Sequence, residues 1–152
     1  MSADARLKEL KIVLPEPPKP VAAYVPCVRS GATLYVAGQI PFVAGELKSK
    51  GKVGKDLTLE QAYDAARICT LNSLAIARAE LGSLDKVKRV VRVAVFVAVA
   101  PGFTDVPKVA NGASELLGTV FGDAGRHARV SVGVAELPLG SSVEVEVQYE
   151  VA

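Results

Sequence analysis

The stretch from Val87 to Val99 constrains the fold more than any other part of the sequence. It reads VKRVVRVAVFVAV, so valine dominates and polar residues disappear toward its end. Valine favours strands, and a strand with one face in water would alternate apolar with polar residues. The stretch is too apolar for that pattern. It therefore predicts a central strand that is covered on both faces and ends before Pro101 and Gly102.

One helix is predicted before this strand in the sequence and a second helix after it. Thr58-Leu-Glu-Gln61 matches a capping box, and apolar residues recur at helical spacing from Leu59 to Ile76 before Gly82 provides a stop signal. The second helix is predicted from Asp105 to Phe121, with Asp105 or Thr104 as its cap and Pro107 in its first turn. Alanine is abundant on the first helix, which indicates close packing against a sheet.

The remaining segments predict a single α+β domain over residues 1–152. Residues 1–20 are predicted to be an N-terminal arm, in which a short amphipathic turn or helix ends before the prolines of Glu16–Pro20. The order β-β-α-β-α-β-β predicts one mixed sheet with both helices on one face. The other face would then need a cover, and association of several copies is the simplest one. The other predicted strands are Ala23–Arg29, Thr33–Ala37, Ala128–Ala135 and Ser142–Val151.

Charge and motif content exclude several function classes. The formal net charge is +2 and the pI is near 8.6, a bias too weak to indicate nucleic acid or an anionic membrane. Phosphate-loop, dinucleotide, metalloprotease and serine-hydrolase motifs are missing. The spacing of Cys27 and Cys69 and the single histidine do not predict a metal site. We expect no signal peptide and no membrane span, and two thiols without an export signal fit the cytoplasm.

Arg129 and the glutamates of the last strand are the main candidates for chemistry. A guanidinium can bind a carboxylate through two parallel hydrogen bonds, but Arg129 could equally pair with a strand glutamate. Glu144 and Glu146 fit the solvated face of an alternating strand, although burial among valines would raise a carboxyl pKa and allow proton transfer. The adjacent His127 could be a general base or incidental.

Two other groups of residues have structural interpretations that we favour. Lys86, Lys88, Arg89 and Arg92 could contact RNA phosphates, but no aromatic stacking residues accompany them, so a solvated strand entrance is favoured. Cys27 and Cys69 fit small buried hydrophobic residues better than nucleophiles, because neither has a histidine nearby in the sequence and burial raises a thiol pKa.

Three segments together resemble the Rid family, also called YjgF-like or L-PSP-like proteins. They are LYVAGQIP at Leu34–Pro41, GSLDKVKRVVRVAVFV at Gly82–Val97, and HARVSVGVAELPLGSSVEVEV at His127–Val147. They occur in the family's order over nearly the whole chain. Gly54–Lys55, KVANGASELL and FGDAGRHAR are further similar to a less-studied branch with a longer N-terminus.

The resemblance implies a chorismate-mutase-like α+β fold. The implied assembly is a homotrimer whose sheets line an inner barrel, with three ligand clefts between subunits. The implied activity is hydrolysis of reactive 2-imino and enamine acids to 2-oxo acids and ammonia, without a metal or organic cofactor. The implied ligand is a small metabolite that carries a carboxylate. A carboxylate-binding or regulatory module without turnover is the first alternative, and the RNase or translation-inhibitor role of some members is the second.

The resemblance also implies site residues. Arg129 matches the arginine that binds the substrate carboxylate, and Glu144 matches the acid that orients or activates water. The reaction needs one carboxylate clamp and one activated water, so an arginine and a glutamate on neighbouring strands would suffice. The other expected substrate-binding residues are Tyr24, Gly38, Asn111 and Ser131.

Three positions depart from the family pattern. Ala37 stands in place of the common serine of SGQ, Ser131 in place of a frequent cysteine, and His127 in place of the proline of PAR. The change at Ala37 removes one hydroxyl from the expected cleft, which would weaken or redirect catalysis.

Overall fold

The computed structural model describes residues 1–20 and 22–152 and contains one five-stranded mixed sheet with the order β1-β2-β7-β5-β6. The valine-rich strand β5 pairs with β7 in antiparallel and with β6 in parallel orientation, and β6 forms an edge of the sheet. The predicted α+β architecture is confirmed. The strands are β1 Cys27–Ser30, β2 Thr33–Gln39, β3 Phe42–Val43, β4 Glu46–Leu47, β5 Val87–Ala98, β6 Ala128–Val134 and β7 Val143–Val151; the helices are α1 Ala3–Glu9, α2 Leu59–Leu81 and α3 Val106–Phe121.

Helix α2 begins and ends at the residues that the sequence predicts. The amide of Gln61 donates to the Thr58 hydroxyl at 3.2 Å, and the Thr58 amide donates to Gln61 Oε1 at 2.9 Å, which completes the capping box. The helix ends at Gly82, whose φ of 81° is the left-handed conformation that glycine adopts without strain. Helix α3 follows Asp105, but the Asp105 side chain makes no capping hydrogen bond.

Strand β7 divides its side chains between the two faces of the sheet. Val143, Val145, Val147, Tyr149 and Val151 are buried, and contacts with α2 place this row on the helical face. The intervening Glu144, Glu146, Gln148 and Glu150 are half-buried on the opposite face. Ser73 of α2 and the Tyr149 hydroxyl form a buried hydrogen bond of 3.0 Å, which satisfies two polar groups in the core.

Replacing Tyr149 with phenylalanine tests this buried hydrogen bond. The change leaves the Ser73 hydroxyl without its partner, so we expect the free energy of unfolding to fall by about 1–2 kcal/mol. Chemical denaturation measures the difference. A Tyr149→Phe, Ser73→Ala double variant removes both polar groups and should recover part of that stability; if it is less stable than Tyr149→Phe, this explanation is wrong.

The second face of the sheet has no covering layer within one chain. The register of β5, β6 and β7 places Ala94, Phe96, Val130 and Val132 together on it. Val130 and Val132 remain 38% and 40% exposed, and Tyr35 of β2 is 46% exposed. The prediction that β5 is covered on both faces is therefore met on the helical face only, because α2 and α3 pack on the same side of the sheet.

The N-terminal segment and the following loops differ in detail from the prediction. The expected strand from Ala23 begins only at Cys27, after Pro26, whose ring leaves no backbone N–H for strand pairing. Residues 1–20 contain the short helix α1, whose Ala3 and Leu7 are buried, followed by irregular chain. The Gly- and Lys-rich loop contains the short hairpin β3–β4, which was not predicted. Within the described residues, no helix is long and apolar enough to cross a membrane.

Candidate functional site

Arg129 lies near the start of β6 and points toward α3. Its Nη1 donates to Asn111 Oδ1 at 2.9 Å and to Ser114 Oγ at 3.1 Å, and its Nη2 donates to the Pro107 carbonyl oxygen at 3.3 Å. Asn111 and Ser114 are three residues apart, so they share one face of the helix. Among the described residues, Arg129 has no ion pair with a carboxylate. The alternative of a salt bridge with a strand glutamate is therefore wrong for the isolated chain.

These contacts use some of the guanidinium N–H donors and leave others without an acceptor. A guanidinium has five N–H donors, of which Nη1 here uses two and Nη2 uses one. The Nε–H and the second Nη2 hydrogen have no acceptor within residues 1–20 and 22–152. Nε–H and Nη2 lie on the same edge of the guanidinium, the edge that can bind both oxygens of a carboxylate. Asn111, Ser114 and Pro107 thus hold Arg129 in a fixed orientation with its carboxylate-binding edge open.

Glu144 lies in a cavity at a different place on the chain. The cavity has a volume of about 210 Å³, and Tyr24 and Gly38 line it together with Glu144. Among residues 1–20 and 22–152, the Glu144 carboxylate has neither an ion pair nor a hydrogen bond. Most of the wall is apolar. The other lining residues are Pro18, Lys19, Pro20, Pro26, Gln39, Ile40, Phe42, Pro138 and Leu139.

The surroundings of Glu144 alter its acidity. Burial raises the pKa of Glu144 above its ordinary value, and the nearby charge of Glu146 raises it further. Both causes disfavour the ionised carboxylate. A carboxyl group with a raised pKa can exchange a proton with a ligand nearer to neutral pH than an ordinary glutamate can. Cys69 is buried behind the sheet, where burial and then the Glu144 charge raise the pKa of its thiol well above the usual range.

Gly38 allows the Glu144 carboxylate to lie directly against strand β2. The pairing of β2 with β7 shifts register between Val36 and Gln39, and this irregularity contains Gly38. A Cβ atom added to Gly38 would overlap Glu144 Oε1 and lie 3.1 Å from Cδ. The close approach therefore requires glycine at this position.

We expect Gly38→Ala to displace the Glu144 carboxylate without unfolding the chain, because the overlap is with the end of a flexible side chain. Any activity that depends on Glu144 should fall by at least about tenfold, as expected when a reacting group is misplaced. Turnover and the thermal unfolding midpoint would be measured on the same samples. Gly118→Ala is a control for the chemical change, because Gly118 lies within helix α3 and an added Cβ there has open space. Unchanged turnover in Gly38→Ala would contradict this role.

The structure brings the expected site residues together in two groups, not one. The first group contains Arg129 and Asn111, and Ser131 lies on the same face of β6 because it is two residues from Arg129. The second group contains Tyr24, Gly38 and Glu144. Strand β5 lies between β6 and β7, so Arg129 and Glu144 are not on neighbouring strands within one chain. Arg129 also points to the helical face, whereas Glu144 points to the opposite one.

Some residues that belong to these two groups were not predicted from the sequence. Ser114 and the Pro107 carbonyl hold Arg129, and the spacing of Asn111 and Ser114 on the predicted helix could have indicated the first of them. Leu139, on the wall beside Glu144, has a φ of 58° in the turn before β7, and no sequence signal indicates it. Ala37 immediately precedes Gly38, and its carbonyl accepts a hydrogen bond from Gln39 Nε2 at 2.8 Å.

The other candidate residues take part in local contacts. In the basic cluster, Lys86 Nζ donates to the Leu81 carbonyl at 2.6 Å, and Arg92 lies 3.7 Å from Glu146. Two of its four cations are thus engaged within the chain. Cys69 is fully buried, as predicted, whereas Cys27 is only partly buried. In the described part of the chain, no group of three or more His, Cys, Asp or Glu side chains is placed to hold a metal ion.

Comparisons with known proteins agree with this architecture. Residues 4–151 match the family described as "YjgF/chorismate_mutase-like, putative endoribonuclease". Protein TCP17 of Trypanosoma cruzi is 47% identical over 149 residues, which cover 96% of this chain and 92% of TCP17. A 2-iminobutanoate/2-iminopropanoate deaminase of Dermatophagoides farinae is 30% identical over 135 residues, covering 89% of this chain and 91% of that protein.

A solved structure extends the similarity to the fold. A Shewanella oneidensis protein whose crystal structure is described as "a putative endoribonuclease" superposes with a TM-score of 0.96 at 32% identity. The superposition covers 99% of this chain and 100% of that protein. The similarity therefore includes the N-terminal segment as well as the sheet and its helices.

Proposed function

The chain belongs to the YjgF/chorismate-mutase-like family, and we propose that it hydrolyses 2-imino acids and their enamine tautomers to 2-oxo acids and ammonia. A relative of the same family that is 30% identical is a 2-iminobutanoate/2-iminopropanoate deaminase. The observation that carries the proposal is the orientation of Arg129, whose three hydrogen bonds leave Nε–H and a second hydrogen on Nη2 for a carboxylate. All substrates of this class carry that carboxylate beside the reacting carbon.

The proposed reaction assigns one role to each group. Arg129 binds the substrate carboxylate, and Glu144 in its ionised form accepts a proton from water as the water oxygen bonds to the imine carbon. With the substrate as its protonated iminium, this addition gives a carbinolamine, and Glu144 returns the proton to its amino group. The C–N bond then breaks as the carbonyl forms, the hydroxyl proton passes to Glu144 and on to the released ammonia, and the products are a 2-oxo acid and ammonium. Because one carboxyl group serves first as base and then as acid, the raised pKa of Glu144 suits both steps.

We further propose that the complete site forms between copies of the chain. Within one chain, Arg129 and Glu144 point to opposite faces of the sheet, so a single copy does not present both to one ligand. The open sheet face has exposed Val130, Val132 and Tyr35, an apolar surface that association would remove from water. A symmetric homotrimer with three equivalent clefts fits the family and both observations. The expected ligand is a small metabolite with a carboxylate, and no step needs a metal or an organic cofactor.

The apolar wall of the cavity beside Glu144 favours a substrate with an apolar side chain. Phe42, Leu139 and four prolines, among others, form its wall, and its volume of about 210 Å³ exceeds what a methyl group fills. Apolar surface prefers an apolar occupant by roughly 0.8 kcal/mol per buried CH₂ group. We therefore expect imines derived from larger aliphatic amino acids to be better substrates than the imine derived from alanine.

The direct test supplies the unstable substrate in the assay. An amino acid oxidase with catalase would generate 2-imino acids from alanine, 2-aminobutyrate and leucine. We expect this protein to accelerate 2-oxo acid and ammonia release beyond the uncatalysed rate, most strongly for the leucine product. Semicarbazide trapping of the remaining imine gives an independent readout. No acceleration with any of the three imines would contradict the proposed function.

A carboxylate-binding module without turnover is the second candidate, and one observation favours it. Ala37 adjoins Gly38 and lines a neighbouring cleft with Tyr24 and Glu146, but it has no hydroxyl to orient a water. Such a module would be stabilised by 2-oxo acids, with an unfolding midpoint that rises with ligand concentration, yet it would leave imine hydrolysis at the uncatalysed rate. Restoring a hydroxyl with Ala37→Ser separates the two, because only a weakened enzyme would gain turnover.

A further inference from the structure

His127 lies between α3 and the start of β6, and its ring is half-buried. It is the only histidine in the chain. Its Nδ1 lies 2.6 Å from the Gly125 carbonyl oxygen, and its Nε2 lies 2.9 Å from Ser114 Oγ. Both ring nitrogens therefore have polar partners, and one partner, Ser114, also contacts Arg129.

The directions of these hydrogen bonds follow from the partners. A carbonyl oxygen can only accept, so His127 Nδ1 carries a hydrogen and donates it to Gly125. In the neutral ring Nε2 is then an acceptor, and the Ser114 hydroxyl donates to it. With its own hydrogen directed at His127, Ser114 Oγ presents lone pairs to Arg129 Nη1, which donates to it at 3.1 Å.

We propose that His127 is a positioning residue for Arg129 and acts through Ser114: the neutral ring fixes the Ser114 hydroxyl so that its oxygen accepts from Nη1 and keeps the carboxylate-binding edge of the guanidinium open. This proposal rests on the proposed role of Arg129 in binding a carboxylate. It assigns a role to a residue that does not itself contact the substrate. It also makes His127 a reporter of what happens at Arg129.

Charge couples the two residues as well. Burial lowers the pKa of His127, and the positive charge of Arg129 lowers it further, while the hydrogen bond to Gly125 acts in the opposite direction. The other charged groups around the ring are Arg126, Arg89 of β5 and Glu150 of β7, which line a shared surface cleft, and α3 contributes only uncharged groups there. A carboxylate bound to Arg129 offsets its charge, so binding should raise the pKa of His127 and be accompanied by partial proton uptake.

The first experiment needs no bound ligand. NMR of the ring nitrogens in tag-free protein gives the signals of His127 alone, because the chain has no other histidine. We expect the Nδ1–H tautomer in the neutral form and a higher His127 pKa in Arg129→Gln than in the wild type. Arg126→Gln is the matched control, because Arg126 is exposed and lies beside Asp123, so a smaller shift is expected. An Nε2–H tautomer, or equal pKa values in Arg129→Gln and wild type, would overturn the proposal.

The second experiment measures carboxylate affinity with 2-oxobutanoate, a stable 2-oxo acid. We expect His127→Phe to weaken binding by about fivefold, as loss of one neutral hydrogen bond suggests, and His127→Gln to restore part of it through its amide oxygen. In the Ser114→Ala background, His127→Phe should cost nothing further, because the connection to Arg129 is already lost. Equal affinity in His127→Phe and wild type, or additive losses with Ser114→Ala, would contradict the proposal.

These outcomes are distinguishable from failure of the proposed function. Binding of 2-oxobutanoate that shifts the His127 signals, without imine hydrolysis, would refute the enzyme and retain the positioning role. Imine hydrolysis with a wild-type KM in His127→Phe would retain the enzyme and refute the positioning role of His127. In an active enzyme, His127→Phe should raise KM more than it lowers kcat, because the clamp binds substrate and transition state alike.

Discussion

Arg129→Ala is expected to lower kcat/KM for 2-imino acids by about 10²- to 10³-fold, the effect of losing two charge-assisted hydrogen bonds to the substrate carboxylate. The side chain has no carboxylate partner among the described residues and is held by Asn111 and Ser114 with its binding edge open. Its removal therefore leaves no neighbouring charge unpaired in the chain. The fold should remain intact, and the initial rate of 2-oxo acid release at several substrate concentrations measures the loss.

Two further variants distinguish the contribution of the guanidinium's shape to activity from the contribution of its charge. Arg129→Lys keeps the charge but lacks the planar pair of donors, so it should recover only a small part of the lost activity. Arg126→Ala removes an equal charge three residues earlier, from an exposed side chain beside Asp123, and should stay close to wild type. Wild-type activity in Arg129→Ala, or an equal loss in Arg126→Ala, would refute the clamp.

Glu144→Gln is expected to lower kcat by about 10²- to 10⁴-fold, the usual contribution of a general acid–base group, with little effect on carboxylate binding. Burial and Glu146 raise the pKa of Glu144, so its folded-state pKa exceeds its unfolded one. Such a group favours folding at low pH and loses that contribution as pH rises through the folded pKa. At neutral pH the glutamine variant should therefore be at least as stable as the wild type, which thermal unfolding would show. Wild-type kcat in Glu144→Gln would exclude the proton-transfer role.

The pH profile distinguishes the two causes of the raised pKa. The acidic limb of kcat/KM should lie above the ordinary glutamate range, because Glu144 must lose its proton to activate water. Glu146→Gln removes the smaller of the two causes, the like charge, and should move this limb toward lower pH without abolishing turnover. A limb that does not move in Glu146→Gln would mean that the limb does not report the ionisation of Glu144.

Mixing the two inactive variants tests whether the site is shared between copies. If each cleft takes Arg129 from one chain and Glu144 from its neighbour, randomly mixed trimers of Arg129→Ala and Glu144→Gln should recover about a quarter of wild-type activity. The two variants would be unfolded together and refolded in equal amounts. Each variant refolded alone is the control. No recovery from a mixture shown to contain both chains in one oligomer would contradict a shared cleft.

Local sequence signals determine much of the fold, because their causes lie within a few residues. Thr58 and Gln61 form their two hydrogen bonds within one helical turn, and Gly82 ends the helix through its own backbone conformation. The alternation along β7 likewise separates a buried row from a half-buried one. The sequence alone could not place Glu144 relative to Arg129, because that depends on pairing between strands distant in the chain.

Residue types and their periodicity, together with the family resemblance, were sufficient to predict the α+β architecture and to select Arg129, Asn111 and Glu144 as candidates. Only the tertiary structure decided which of them meet. Insertion of β5 between β6 and β7 separates Arg129 from Glu144, and the register of β6 directs Arg129 toward α3. The same register joins His127 and Ser114 to Arg129, since these contacts span 13 and 15 residues of sequence. Strand order and register arise from packing of the whole core, which no local pattern encodes.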